Sequence, residues 1–347
     1  MNLKSPPVRA EATLMFKEAS EAPAVVARLL AANREAARAL GEELRANPPR
    51  AVVTCARGSS DHAATYAKYL IETATGVITS SAALSVSSVY AAEPKLEGVL
   101  YLAISQSGKS PDLLAAVEGA KAAGALVVAL VNDETSPLAA LADKVLPLHA
   151  GPEISVAATK SYIAALAAIA QLVAAWSQDE ALERALDALP PVLEKAWELD
   201  WSPAAERLKS ASNLYVLGRG VGFGVAQEAA LKFKETCGLH AEAFSAAEVL
   251  HGPMALVQKG FPVLIFAQAD QSEASVLALA QELEGRGVDV MLAGGEGSNL
   301  LPTPSAHPNL EPILRIQGFY RMANALSVLR GYDPDRPPHL NKVTETV

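Results

Sequence analysis

The stretch LYLAISQSGKSPDLLAAV, Leu100 to Val117, opens as an apolar strand, passes through SQSGKS and closes as a helix that starts at Pro111. A buried strand that empties into hydroxyl, amide and glycine residues and then into a helix is the repeating unit of a parallel α/β sheet. In such sheets ligands sit beyond the carboxyl ends of the strands, where loops meet helix N-termini. Backbone N–H groups and the positive end of the helix attract an anion there. Ser105, Gln106, Ser107 and Ser110 are placed to donate to its remaining oxygens. Helix capping would account for one serine. Four hydrogen-bonding side chains in six residues, with a second Ser-rich loop in RGSSDHA, make a phosphate cradle the better expectation.

Outward from this stretch the same pattern recurs. RAVVTCARG, GVITSSAAL, GVLYLAISQSG, ALVVALVND and KVLPLHAG are strand-like runs between Ala-rich helical segments, and NLYVLGRG, FPVLIFAQAD and VDVMLAGG repeat the scheme. Setting Arg57 on Arg219 gives an offset of 219 − 57 = 162. Nearly the same offset carries Tyr101 to Leu264 and Val127 to Val290. The chain therefore reads as a duplicated α/β unit. The expected organisation is a helical segment 1–46 with Val25, Leu29 and Leu30 available for packing, a first unit 47–177, a charged helical linker 178–203, a second unit 204–335 and a polar tail 336–347. The glycines of LGRGVGFG, at 218, 220, 222 and 224, do not satisfy GxGxxG, and GxxxxGK[ST] is absent, so neither nucleotide fingerprint applies.

With 29 Lys+Arg against 38 Asp+Glu, a net charge of −9, nucleic acid and anionic membrane surfaces are not expected partners. Cys55 and Cys237 have no CxxC spacing, which suits a reducing cytoplasm and argues against a disulfide framework or a thiolate metal site. The N-terminus has no signal-peptide core, and the apolar helix expected at Tyr162 to Trp176 is too short to span a bilayer. No cofactor or metal is expected. His62, His149, His240, His307 and His339 lack zinc-ligand spacing with a third ligand and are assigned structural roles.

Two features remain that carry chemistry. In QEAALKFKE, Glu228, Lys232 and Glu235 stand at i, i+4 and i+7 and share one helix face. A lysine between two carboxylates tunes which of them stays ionised. The same spacing also describes a salt-bridged surface helix. His251, followed by Gly252 and Pro253, sits at a turn, where an imidazole can exchange protons.

The motifs LAISQSGKSPD, VAATKSY, EAALKFKETCGLHAEAFSAAEVLHGP and LNKVTETV together closely resemble the SIS (sugar isomerase) family. Within it they resemble the isomerase half of glutamine:fructose-6-phosphate amidotransferase. The resemblance implies two tandem SIS domains, each a flavodoxin-like three-layer αβα sandwich. It implies sugar-phosphate contacts at Gly58, Ser59, Ser60, Ser105, Gln106, Ser107, Ser110, Val156, Ala157 and Thr159. That synthase has a serine where Ala158 stands, so a contact through Ala158 would use its backbone. By resemblance Glu235 shuttles a proton with Lys232 beside the reacting group. His251 opens the sugar ring from the neighbouring subunit of a homodimer, and Lys342 either forms a Schiff base or positions the sugar. That role requires the tail to fold over the site.

The synthase has an N-terminal glutaminase domain with no counterpart in the sequence as given, so the expected activity is that of SIS-type glucosamine-6-phosphate deaminases, yielding fructose 6-phosphate and ammonia. The alternatives are ammonia-dependent or aminotransferase-type synthesis, action on another amino-sugar phosphate, and a non-catalytic phosphosugar-binding regulator.

Overall fold

The computed structural model describes residues 9–297 and 299–342. Two helices lead in, α1 (Leu14–Ser20) and α2 (Ala22–Ala46). Helix α2 carries Pro23 in its first turn, where the missing N–H costs nothing, and buries a stripe that includes Val25, Leu29 and Leu30. The first sheet unit follows as β1 (Ala51–Cys55), α3 (Ser59–Thr75), β2 (Thr79–Ser81), α4 (Leu84–Ser88), β3 (Val99–Ser105), α5 (Pro111–Ala122), β4 (Leu126–Val131), α6 (Pro137–Leu141), β5 (Lys144–Pro147) and α7 (Lys160–Ser177).

The charged segment expected as a linker is α8 (Glu180–Asp187) and α9 (Leu189–Glu198), followed by α10 (Ser202–Leu208). These helices bury Leu182, Leu186, Leu189 and Leu193 and so are part of the packed body. The second unit runs β6 (Asn213–Gly218), α11 (Gly222–Cys237), β7 (His240–Ser245), β8 (Pro262–Phe266), α12 (Glu273–Gly285), β9 (Asp289–Ala293), β10 (Leu300–Leu301) and α13 (Glu311–Leu329).

All strand pairs are parallel, in the orders β2-β1-β3-β4-β5 and β7-β6-β8-β9-β10. The second order repeats the first, strand for strand, so the fold is α/β with two equivalent five-stranded units. The pairings correct one expected equivalence. Val53 pairs with Tyr101, and its counterpart Tyr215 pairs with Val263, so Tyr101 corresponds to Val263 rather than Leu264. Tyr101 pairs with Val127 and Val263 with Val290, which keeps Val127 opposite Val290 in the repeat. A one-residue slip would send every side chain to the other face.

The inner faces of both sheets share one apolar core, in which Leu102 and Ile104 of β3 join Leu264 and Phe266 of β8 through α3, α7, α11 and α13. The outer face of each sheet has a core of its own, around Tyr101 and Val127 in one unit and Val263 and Val290 in the other. Helix α7 differs from expectation in length. It extends over 18 residues and is, among the described residues, the one helix long and apolar enough to cross a membrane, but 89% of it is buried inside the fold. Its uniform apolarity is that of a helix covered on all sides.

Candidate active site

The adjacent strands β1 and β3 mark the point where the strand order of the first sheet reverses, and the loops after them open a cavity of about 360 Å³. Gly58, Ser59, Ser60, Ser105, Gln106, Ser107 and Ser110 all line it, with Val156, Lys232, Glu235 and Lys342. The loops are shaped by glycine at two points. Gly58, with φ +55°, turns β1 into α3, and Gly108, with φ +65°, lies so close to α6 that a Cβ would fall 2.4 Å from Ser136 Oγ. Gly108→Ala is therefore expected to cost about 1–3 kcal/mol of stability and to raise KM for a phosphosugar, measurable by denaturant unfolding and steady-state kinetics. The Gly108 amide donates to Ser105 Oγ at 2.9 Å, which closes the loop on itself. Ser110 occupies the N-cap of α5 without a side-chain capping bond, so its hydroxyl remains available to the cavity.

Arg57 served the sequence reading only as a marker of the repeat, yet it lines the cavity. Its Nε and Nη2 donate to Asp112 Oδ2 at 2.9 and 2.7 Å. Asp112 is buried in the first turn of α5, so the pair fixes a cation beside the two helix N-termini.

The α11 row is buried rather than on the surface. Lys232 and Glu228 are fully buried. Lys232 Nζ lies 3.2 Å from Glu228 Oε1 and 2.5 Å from Glu235 Oε2, and donates to Ser59 Oγ at 3.1 Å. Burial opposes the Lys232 charge, but the flanking carboxylates outweigh it and hold the ammonium above the ordinary lysine value. Burial likewise works against the Glu228 charge, and the neighbouring Lys232 charge together with a hydrogen bond from His62 outweighs it, leaving the carboxyl below its ordinary range. Among the described residues that line the cavity, Glu235 is the sole carboxylate, and Lys232 holds it in place.

Glu153, which the sequence reading passed over, organises the segment before α7. Its buried carboxylate accepts from the amides of Thr159 and Ser161 at 3.0 and 3.1 Å, from Ser161 Oγ at 2.6 Å and from Lys342 Nζ at 3.1 Å. Lys342 Nζ also donates to the Ser155 carbonyl at 2.8 Å, and Leu340 and Asn341 line the cavity beside it. The tail thus closes one wall of the site as far as Lys342; residues 343–347 lie outside the described residues. Val156 and Ala158 face the cavity, whereas Ala157 and Thr159 are buried beside it and are not part of its lining.

Burial opposes the Glu153 charge, but the Lys342 charge and the hydrogen bonds from Ser161 and Thr159 outweigh it and lower its pKa. The folded values of Glu153 and Glu228 thus lie below the ordinary 4.5. Their contribution to stability is full above that value and is lost as the pH falls through the folded-state values. Urea midpoints should hold down to about pH 4.5 and drop below it, and Glu153→Gln should lower the plateau and flatten the acid limb.

His251 stands exposed on a short turn after β7 and does not line the cavity of its own chain. Of the remaining histidines, His62 contacts Glu228, with Nδ1 3.0 Å from Oε2. No group of three or more His, Cys, Asp or Glu that could hold a metal occurs among the described residues. Cys55 and Cys237 are buried free thiols, pushed up by burial to about 11 and about 12.

Comparisons with known proteins add the following. The SIS domain family model matches residues 47–175 and 207–300. The glutamine–fructose-6-phosphate aminotransferase [isomerizing] of Thermus thermophilus is 36% identical over 313 residues, covering 84% of this chain and 51% of the relative. The chain thus spans about half the length of the curated relatives it matches. Among solved structures, one from Silicibacter pomeroyi DSS-3, described as a candidate phosphosugar isomerase, is 43% identical. It superimposes with a TM-score of 0.89 and covers 93% of this chain and 100% of that one. The C-terminal domain of glucosamine-fructose-6-phosphate aminotransferase from Francisella tularensis is 26% identical, with a TM-score of 0.84 and coverage of 94% and 98%.

Proposed function

Because the chain belongs to the SIS domain family, we propose that it is a phosphosugar isomerase that converts glucosamine 6-phosphate and water to fructose 6-phosphate and ammonia. The observation that carries this reading is the meeting, in one cavity, of two serine-rich loops at helix N-termini with a single carboxylate ion-paired to a lysine. The loops, with Arg57, suit a phosphate dianion. Glu235 takes the proton from carbon 2 of the open-chain sugar and returns it to carbon 1. Lys232 stabilises the negative charge that builds on the carbon-1 oxygen in between. As carbon 1 is protonated its oxygen gains a proton and the carbon-2 amine gives one up, so the product is a ketimine at carbon 2 beside a carbon-1 hydroxyl. Water adds there, the C–N bond breaks and ammonia leaves, so one water enters for each ammonia released.

Ring opening is assigned to His251 of a second copy. The exposed Leu250 and Leu256 flank it, and the exposed Ile154 and Leu340 belong to the segments that wall the cavity. Apolar residues on both segments suit a two-fold contact that seats the histidine turn of one copy at the cavity of the other. Co-expression of His251→Ala with Glu235→Gln chains tests this. Half of the dimers would be mixed, each with one intact site, so about a quarter of wild-type activity should return. No recovery would place both residues in one chain's site.

A second reading is favoured by the identity to aminotransferases and by Lys342 Nζ at the cavity wall. Here Lys342 forms an imine with fructose 6-phosphate, releasing water, on the way to ammonia-dependent synthesis of glucosamine 6-phosphate. Cyanoborohydride reduction with fructose 6-phosphate, followed by mass spectrometry, would label Lys342 on this reading and leave it unmodified on the first.

The primary test is release of ammonia and fructose 6-phosphate from glucosamine 6-phosphate, with galactosamine 6-phosphate in parallel. Release from one sugar defines the substrate. Tight binding by calorimetry without release from either would make the chain a phosphosugar-binding regulator.

A further inference from the structure

His62 lies on α3 one turn beyond Ser59, on the face turned toward α11 of the other unit. The two helices pack backbone to backbone at this point, since a Cβ on Gly224 would fall 2.4 Å from the His62 carbonyl oxygen. Two polar ties cross the contact: Lys232 Nζ to Ser59 Oγ at 3.1 Å, and His62 Nδ1 to Glu228 Oε2 at 3.0 Å. Glu228, held ionised by Lys232, only accepts, so Nδ1 carries the hydrogen. Its other oxygen receives Tyr320 Oη at 3.1 Å and faces Lys232 Nζ at 3.2 Å. A buried carboxylate with donors on both oxygens has its plane fixed.

We propose that His62 is a positioning residue for proton transfer: it fixes Glu228, which sets Lys232, which in turn holds Glu235 at one distance from the phosphate-binding end of α3. This rests on Glu235 being the base of the reaction above. Without the His62 bond Glu228 is held through Oε1 alone and can turn about it, so the ammonium can move toward the unpaired Oε2 and release Glu235. Of the serine-loop side chains only Ser59 touches this relay, through Lys232 Nζ, and the others are untouched, so the effect falls chiefly on kcat.

His62→Ala is expected to lower kcat for ammonia release about 10- to 100-fold, with KM changed by less than about twofold. His62→Asn, whose Nδ2 can stand where the imidazole Nδ1 stood, should recover most of the loss. Unchanged kcat in His62→Ala, an increase in KM alone, or equal losses in both variants would overturn the proposal. A readout without substrate guards against misfolding of the alanine variant. With ¹⁵N-labelled histidine, wild type should show a low-field Nδ1–H proton signal that persists in Glu235→Gln and vanishes in His62→Asn. Its absence from wild type would overturn the clamp. If wild type is inactive on both amino-sugar phosphates, the reaction assigned above falls, and this signal alone decides whether the clamp exists.

Discussion

Glu235→Gln is expected to lower kcat on glucosamine 6-phosphate by about 10²- to 10⁴-fold, the range lost when a positioned general base is removed. Glutamine keeps the shape of the side chain and can still accept from Lys232, but it cannot hold the proton in transit between carbons 2 and 1. Binding should survive, because the serine loops and Arg57 are unchanged. Calorimetry should therefore give nearly the same affinity for the sugar phosphate, while exchange of the carbon-2 hydrogen with deuterated water stops. Retention of more than about a tenth of the activity would require another base. No second carboxylate lines the cavity among the described residues, and Glu228 is sealed behind Lys232.

The largest loss of stability is expected from Glu228→Ala, about 3–5 kcal/mol in urea unfolding, the cost of breaking a buried ion pair from one side. Of its two carboxylates Lys232 would keep only Glu235, whose side chain is 20% exposed, and the His62 and Tyr320 donors would lose their shared acceptor. The double variant Glu228→Ala with Lys232→Met removes the stranded charge and should recover part of the loss. Equal destabilisation by the single and double variants would mean that packing, and not the buried charge, sets the cost.

How much of this could be read from the sequence depended on distance along the chain. The duplicated unit was legible because apolar runs and polar loops alternate at one spacing. The off-by-one match of Tyr101 arose because β3 is buried at every position, and a strand apolar on both faces carries no alternation from which to read its register. Strand β7, HAEAFS, is a polar edge strand inside a motif noted for other reasons, and β10 has only two residues, so neither announces itself. In the site, the serines and the α11 row were visible as local patterns. His62 and Glu153 were not, since their partners Glu228 and Lys342 lie 166 and 189 residues away. A single sequence holds no signal for such pairs.

The inner faces of the two sheets drain into one common apolar layer, and α3 and α11, which carry the serine loop and the proton-transfer row, are both part of it. A duplicated gene usually leaves two beads that can be cut apart, exchanged or tuned separately. Here neither bead would keep water off its inner surface alone, so a break between them would cost solubility before it cost chemistry. The repeat has therefore given up its modularity, and substitutions on the inner face of either half are felt by both.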